Sequence, residues 1–230
     1  MSRHAFGIGE TPAVPVLGSD EVYPVRRIFC VGRNYEAHAK EMGVSTREPP
    51  FFFTKFPSSL VPSGARLRYP PGTKDYHYEG ELVVAIGGTG FEVPSAEADR
   101  LVFGYATGLD MTRRDLQFAA RDKGRPWDTG KNFEQSAPVT AIRPFAQGGA
   151  LERGRIELAV NGKVRQSADI ADMIWSVPEI IGHLSLLYTL APGDLIYTGT
   201  PAGVGAVVAG DAVQVRIEGL PTLDVAIDGR

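Results

Sequence analysis

"YHYEGELVVAIGG", residues 76–88, decides how this chain is read. From Leu82 to Ile86 it is unbroken apolar sequence rich in β-branched residues, the pattern of a strand covered on both faces. Glu79 and Glu81 stand at its head, one residue apart. In extended backbone alternate side chains share a face, so the two carboxylates project side by side. Like charges in that position repel unless a proton or cation lies between them, and a divalent metal is the usual reason to put them there. Acidic residues at a strand end also stand simply in solvent, so the pair needs a third ligand to count as a site.

Working outward, "LVFGYATGLDMTRRD" (101–115) runs from an apolar strand toward a helix and leaves Asp110 at the strand end, where sites are commonly built. Three carboxylates without Cys or a His cluster favour a hard, octahedral ion such as Mg²⁺ or Mn²⁺ over zinc. "CVGRNYEAHAKEMG" (30–43) begins as a buried strand end and continues as a helix capped by Asn34 and stopped by Gly43. His38 and Glu41, three residues apart, share a face of that helix, and the carboxylate could fix the imidazole tautomer of a general base. Arg33 and Asn34 lie at its anion-attracting end. In "RDKGRPWDTGKNFEQSAPV" (121–139), Gly124, Pro126 and Gly130 make a segment able to close over a site, with Lys131 just beyond.

Elsewhere the texture is β. "RIELAVNGKVRQS" (155–167) alternates and carries the hairpin pair Asn161-Gly162, and residues 210–227 hold two further alternating segments. Two more helices are expected. One is capped by Thr112 with Asp115 three residues on; the other, "SVPEIIGHLSLLYTL" (176–190), opens on a Ser176–Glu179 capping box. "TGTPAGVG" (198–205) lacks the Lys-Ser/Thr ending of a phosphate loop. We read one domain over residues 22–230, with residues 1–21 as an N-terminal arm.

The 230 residues suffice for a sizeable core without staples. A net charge of −3, from 24 basic and 27 acidic residues, gives no general attraction to nucleic acid or anionic membrane. The single cysteine, Cys30, excludes an internal disulfide framework and fits a reducing cytoplasm. No apolar stretch is long enough for a spanning helix or a signal-peptide core, so no membrane partner is expected.

Taken in order, "CVGRNYEAHAKEMG", "PPFFFTKFPSSL", "YHYEGELVVAIGG", "GYATGLDMTRRDLQ", "KGRPWDTGKNFEQSAPV" and "PGDLIYTGTPAGVG" resemble the successive signatures of the fumarylacetoacetate hydrolase family, over roughly residues 22–220. The resemblance implies a mainly-β α+β fold, a mixed β-roll or sandwich core with a few short helices. It implies Mg²⁺ or Mn²⁺ on Glu79, Glu81 and Asp110, catalytic roles for His38, Glu41 and Lys131, and contacts to a small 2-oxo acid from Arg33, Lys55, Gln117 and Thr200. "FFFTKFPSS" departs from the commoner Phe-x-Lys-Pro pattern in having Lys55-Phe56-Pro57. The implied reaction is hydrolysis of the carbon–carbon bond of an acylpyruvate. "DYHYEGEL", "RRDLQ", "GRPW" and "DMIWSVPEII" are most similar to members that act on fumarylpyruvate in gentisate-type aromatic breakdown. Arg121 and Arg125 are then candidates for the far carboxylate of that substrate. The family also implies a homodimer. Decarboxylation of oxaloacetate or isomerisation at the same metal is the nearer alternative, and a non-catalytic calcium-binding domain the farther one.

Overall fold

The computed structural model describes residue 7 and residues 9–35 and 48–229. Its centre is the strand Gly80–Ile86, every residue of which is buried. Leu82, Val84 and Ile86 face one apolar cluster, shared with Ile180, Ile181 and Leu184 of the helix Val177–Ser185. Val83 and Ala85 face a second cluster, which includes Val14, Val16 and Tyr23. Cover on both faces is why this run is continuously apolar rather than alternating. Burying each such side chain contributes about 1.5–3 kcal/mol before conformational entropy is counted.

Around this strand lies an eight-stranded mixed sheet, in the order Phe51–Lys55, Arg27–Gly32, Asp194–Tyr197, Gly80–Ile86, Val102–Leu109, Ala137–Val139, Leu60–Pro62, with Arg143–Pro144 also paired to Val102–Leu109. Asp194–Tyr197 runs parallel to Arg27–Gly32 and antiparallel to Gly80–Ile86. A five-stranded sheet follows the order Lys163–Asp169, Arg155–Val160, Ala212–Ile217, Leu223–Asp228, Arg66–Arg68. A third cluster, with Leu109, Met111, Leu158 and Val215, joins it to the segment that follows Val102–Leu109. The α+β, mainly-β reading holds.

Several local expectations are met. Arg155–Val160 and Lys163–Asp169 form the predicted hairpin, with Asn161 and Gly162 at φ 51° and 74°, as a type I′ turn requires. Ser176 donates through its backbone N and its Oγ to Glu179 Oε2, at 2.9 and 2.8 Å, at the start of Val177–Ser185. That helix ends five residues earlier than its apolar pattern suggests, and Leu186, Leu187 and Tyr188 are exposed.

One cap is corrected. Thr112 does not cap a helix: Thr112–Arg113 is a short strand paired antiparallel with Tyr76–His77, and the helix runs Arg114–Arg121 with Arg113 at its cap position. Pairing with residues 76 and 77 outweighs the local capping preference. Asp115 instead ties the first turn to the preceding loop, accepting from the Thr73 hydroxyl and the backbone N of Lys74. Asn34, expected as another cap, spans two loops. Its amide nitrogen donates to Trp175 O and Thr198 O, and its oxygen accepts from Trp175 N. Tyr35, also within the helix expected over residues 34–43, instead forms a β-bridge with Met173, and residues 36–43, including His38 and Glu41, lie outside the described residues.

Candidate active site

Antiparallel register assembles the acidic centre. Gly80 pairs with Leu109 and Glu81 with Gly108, and the backbone N of Asp110 donates to Glu79 O at 2.9 Å. Asp110, just past its strand, therefore comes opposite Glu79 and Glu81 at the head of the strand Gly80–Ile86. The carboxylates of Glu79, Glu81 and Asp110 each offer an oxygen within 4.8 Å of the others, and all three residues are buried.

Three cations answer them. Lys131 Nζ, on the short helix Asp128–Lys131, lies 2.6 Å from Glu79 Oε2, 2.6 Å from Asp110 Oδ2 and 2.8 Å from Thr112 Oγ1. Lys55 Nζ is 2.8 Å from Asp110 Oδ1 and donates to the backbone oxygens of Met111 and Lys131. Arg114 pairs with Glu79 Oε1 and donates to Gln117 Oε1 at 2.6 Å. Charges buried this deeply persist only when paired, because the desolvation cost is large. For Lys131, burial favours the neutral amine, but the Asp110 and Glu79 charges outweigh it and hold the ammonium above its ordinary range.

Glu81 differs from its neighbours. Its Oε2 accepts the backbone N–H of Gly199 at 2.9 Å, and among the described residues no Lys or Arg is paired with it. Burial, then the charges of Asp110 and Glu79, push its carboxyl well above the usual range. Gly199 is at φ 97°, and a Cβ there would stand 2.7 Å from Asn34 Cβ, so only glycine presents this N–H so closely. Asp110 Oδ1 faces Lys55 at ion-pair distance yet has no aligned hydrogen-bond donor. A buried carboxyl short of cationic charge, an acceptor oxygen without an aligned donor, and an all-oxygen donor set together fit a hard divalent cation. Glu79, Glu81 and Asp110 could hold it.

One pocket is lined by seven of the ten expected site residues: Arg33, Glu79, Glu81, Asp110, Gln117, Lys131 and Thr200. Lys55 lies behind Asp110 rather than on the pocket wall, and its ammonium is wholly enclosed. His38 and Glu41 lie outside the described residues. Arg121 pairs with Asp122 and stacks on Phe118. Neither it nor Arg125 lines the pocket.

Sequence reasoning passed over four residues that structure this site. Arg114 had a signal, since it precedes Gln117 by one helical turn. Trp127 lines the pocket four residues before Lys131. Gln166 accepts from Gly80 N and donates to Thr200 Oγ1 and Pro201 O; the inward register opposite Leu158 marks it, a polar residue on an apolar face. His77 accepts weakly from Arg114 Nε at 3.4 Å, while its other ring nitrogen lies 2.7 Å from Asp75.

Known proteins agree with this architecture. The model of the fumarylacetoacetate hydrolase C-terminal family matches residues 27–228. The chain is 56% identical over 180 residues to a fumarylpyruvate hydrolase of Ralstonia sp., covering 78% of this chain and 93% of that one. It is 40% identical over 203 residues to the mitochondrial oxaloacetate tautomerase of Rattus norvegicus, covering 88% and 92%. The crystal structure of a fumarylpyruvate hydrolase from Pseudomonas aeruginosa, in complex with Mn²⁺ and pyruvate, superposes with a TM-score of 0.96 at 49% identity, covering 99% of this chain and 100% of that one.

Proposed function

The chain belongs to the fumarylacetoacetate hydrolase family, and from that premise we propose that it hydrolyses the carbon–carbon bond of an acylpyruvate, fumarylpyruvate above others, to fumarate and pyruvate in gentisate-type aromatic breakdown. The observation that carries this reading is the convergence of Glu79, Glu81 and Asp110 within 4.8 Å beside Lys131, in a pocket wall. The 56% identity to a fumarylpyruvate hydrolase supports the choice of acyl group.

Glu79, Glu81 and Asp110 would hold Mg²⁺ or Mn²⁺, which would supply Lewis acidity to the 2-oxo acid; the structure of the Pseudomonas aeruginosa protein is a complex with Mn²⁺ and pyruvate. The protein's own groups do the rest. Arg114 engages Gln117 Oε1, which leaves the Gln117 amide hydrogens for the substrate carboxylate. Thr200 Oγ1 donates to Gly80 O at 2.9 Å and so fixes the wall beside Glu79 and Glu81. By family resemblance His38, oriented by Glu41, takes a proton from water, and the resulting hydroxide adds to the acyl carbonyl carbon. The carbon–carbon bond then breaks, its electron pair passes to the pyruvyl fragment as enolate, and a proton returned to carbon completes pyruvate. Lys131, held cationic, faces that developing charge and lowers its energy. Lys55 anchors Asp110 and the Lys131 backbone from behind. The same resemblance supports a homodimer, the single cysteine Cys30 supports a reducing cytoplasm, and we read residues 22–230 as one catalytic domain with 1–21 as an arm.

The similarity to an oxaloacetate tautomerase favours a second reading. The same centre would enolise oxaloacetate with no attacking water, so dependence on His38 separates the two. Metal-stripped protein is assayed spectrophotometrically with fumarylpyruvate and with oxaloacetate, before and after Mn²⁺ is added. The hydrolase reading expects Mn²⁺-dependent loss of the dicarbonyl absorbance with fumarate and pyruvate formed in equal amounts. Turnover of oxaloacetate alone would replace it with the second reading.

A further inference from the structure

Arg33 follows the strand Arg27–Gly32 with φ 59°, a left-handed conformation that costs a non-glycine residue energy unless its surroundings impose it. Here they do. Asn34, the next residue, is locked to Trp175 and Thr198 by three hydrogen bonds. The outcome is a side chain at a junction: Arg33 lines both the carboxylate pocket and an adjoining outer groove, and so do Phe53 and Trp127.

The outer groove has a volume of about 580 Å³ and aromatic walls. Phe51 meets Trp127 edge-on at 5.2 Å between ring centres, and Phe53 lies 5.9 Å from the same indole. Arg33 is the sole Lys or Arg among the described residues lining it. Its guanidinium carbon is 5.7 Å from the Phe51 ring, and its buried Nε has no hydrogen-bond partner. The other cations near the centre are committed: Lys55 to Asp110, Lys131 to Glu79 and Asp110, Arg114 to Glu79. Asp128 also lines the groove, but it is exposed, and water and salt screen its charge.

An apolar, flat-walled groove continuous with the metal pocket suits a planar acyl chain. A planar fork of donors at the junction, whose Nε has no hydrogen-bond partner and which has no ion-pair partner among the described residues, suits a carboxylate. We propose that Arg33, rather than Arg121 or Arg125, receives the far carboxylate of the acyl group, and thereby selects acylpyruvates whose acyl chain ends in a carboxylate. This rests on the acylpyruvate reading above, and it moves Arg33 from the 2-oxo acid end, where family resemblance puts it, to the opposite end.

The test is the ratio of kcat/KM for fumarylpyruvate over acetylpyruvate, which lacks the far carboxylate, in the Mn²⁺-loaded protein. Arg33→Met is expected to lower that ratio about 10- to 100-fold, the loss of a charge-assisted hydrogen bond; Arg33→Lys keeps part of the preference. A ratio is indifferent to misfolded material, since both substrates meet the same preparation. Equal losses on both substrates would overturn the assignment and return Arg33 to the pyruvyl end; unchanged values would overturn it too. Should the wild type cleave neither acylpyruvate, the acylpyruvate reading fails separately. Arg33 is then judged by the same ratio in calorimetric affinities of wild type and Arg33→Met for the two acids.

Discussion

The inner and outer halves of this pocket are built by opposite physics. The inner half is a closed ionic cluster, three carboxylates against Lys55, Lys131 and Arg114, in which nearly every charge already has a protein partner. The outer half is aromatic and open, with Arg33 as its cation. A buried ion cluster tolerates no missing member, because the orphaned charge keeps its full desolvation cost. An open aromatic wall gives way gradually. The inner half should therefore decide whether chemistry occurs, and the outer half which substrate is used.

The comparison breaks most readily at Asp110, which partners both lysines and offers a metal ligand. Asp110→Asn is expected to lower kcat/KM by about a thousandfold or more even at saturating Mn²⁺. Steady-state turnover against Mn²⁺ concentration checks this, and near wild-type rates would remove Asp110 from the centre. Lys131→Met should cost about 10²- to 10³-fold in kcat through lost charge stabilisation, with a smaller change in KM; a change confined to KM would make Lys131 a binding group only. On the outer side, Trp127→Ala should raise KM for fumarylpyruvate about 3- to 10-fold as aromatic contact is lost, with kcat changing less. A collapse of kcat instead would place Trp127 in the inner machinery.

The smallest effect is a pH dependence of stability. Glu81 has a folded-state carboxyl held well above its ordinary value by burial, then by Asp110 and Glu79. The folded protein thus binds this proton more tightly than the unfolded chain. The contribution is fully present below the unfolded value of about 4.3 and is lost as pH rises through the folded value. Metal-free protein should melt at progressively lower temperature as pH is raised from about 5 toward 8. Lys131 stays charged across that window. Mn²⁺ should reverse the trend and release a proton on binding, visible as a buffer-dependent calorimetric enthalpy. A melting temperature that rises with pH in the metal-free protein would contradict the sign.

The parts of this site that sequence makes legible are those set by strand periodicity. The alternation of Glu79 and Glu81 and the position of Asp110 at a strand end predict three convergent carboxylates, and the structure brings them together. What it hides depends on long-range packing. The sequence places Lys131 just beyond a segment able to close, but not its burial, which arises because Gly130 lets its short helix press against the helix Arg114–Arg121. A Cβ on Gly130 would stand 2.7 Å from Gln117 N. Thr112 looks like a helix cap and is claimed by its strand partner His77, 35 residues earlier in the chain. Lys55 resembles a substrate contact, but the edge strand Phe51–Lys55 delivers its ammonium behind Asp110. Gln166 is marked only by which face of its hairpin turns inward.

Everything proposed for the chemistry hangs on the three carboxylates holding a metal. Metal-stripped wild type and Glu81→Gln are titrated with Mn²⁺, free ion is read by electron paramagnetic resonance, and melting temperatures are recorded alongside. Glutamine imitates the protonated carboxyl that burial favours in the metal-free state, so the fold should survive the change. The expected result is uptake of a single Mn²⁺ per wild-type chain, with turnover rising in step, and little uptake by the variant at a similar melting temperature. Equal uptake by both proteins, or uptake without any change in turnover, would contradict it.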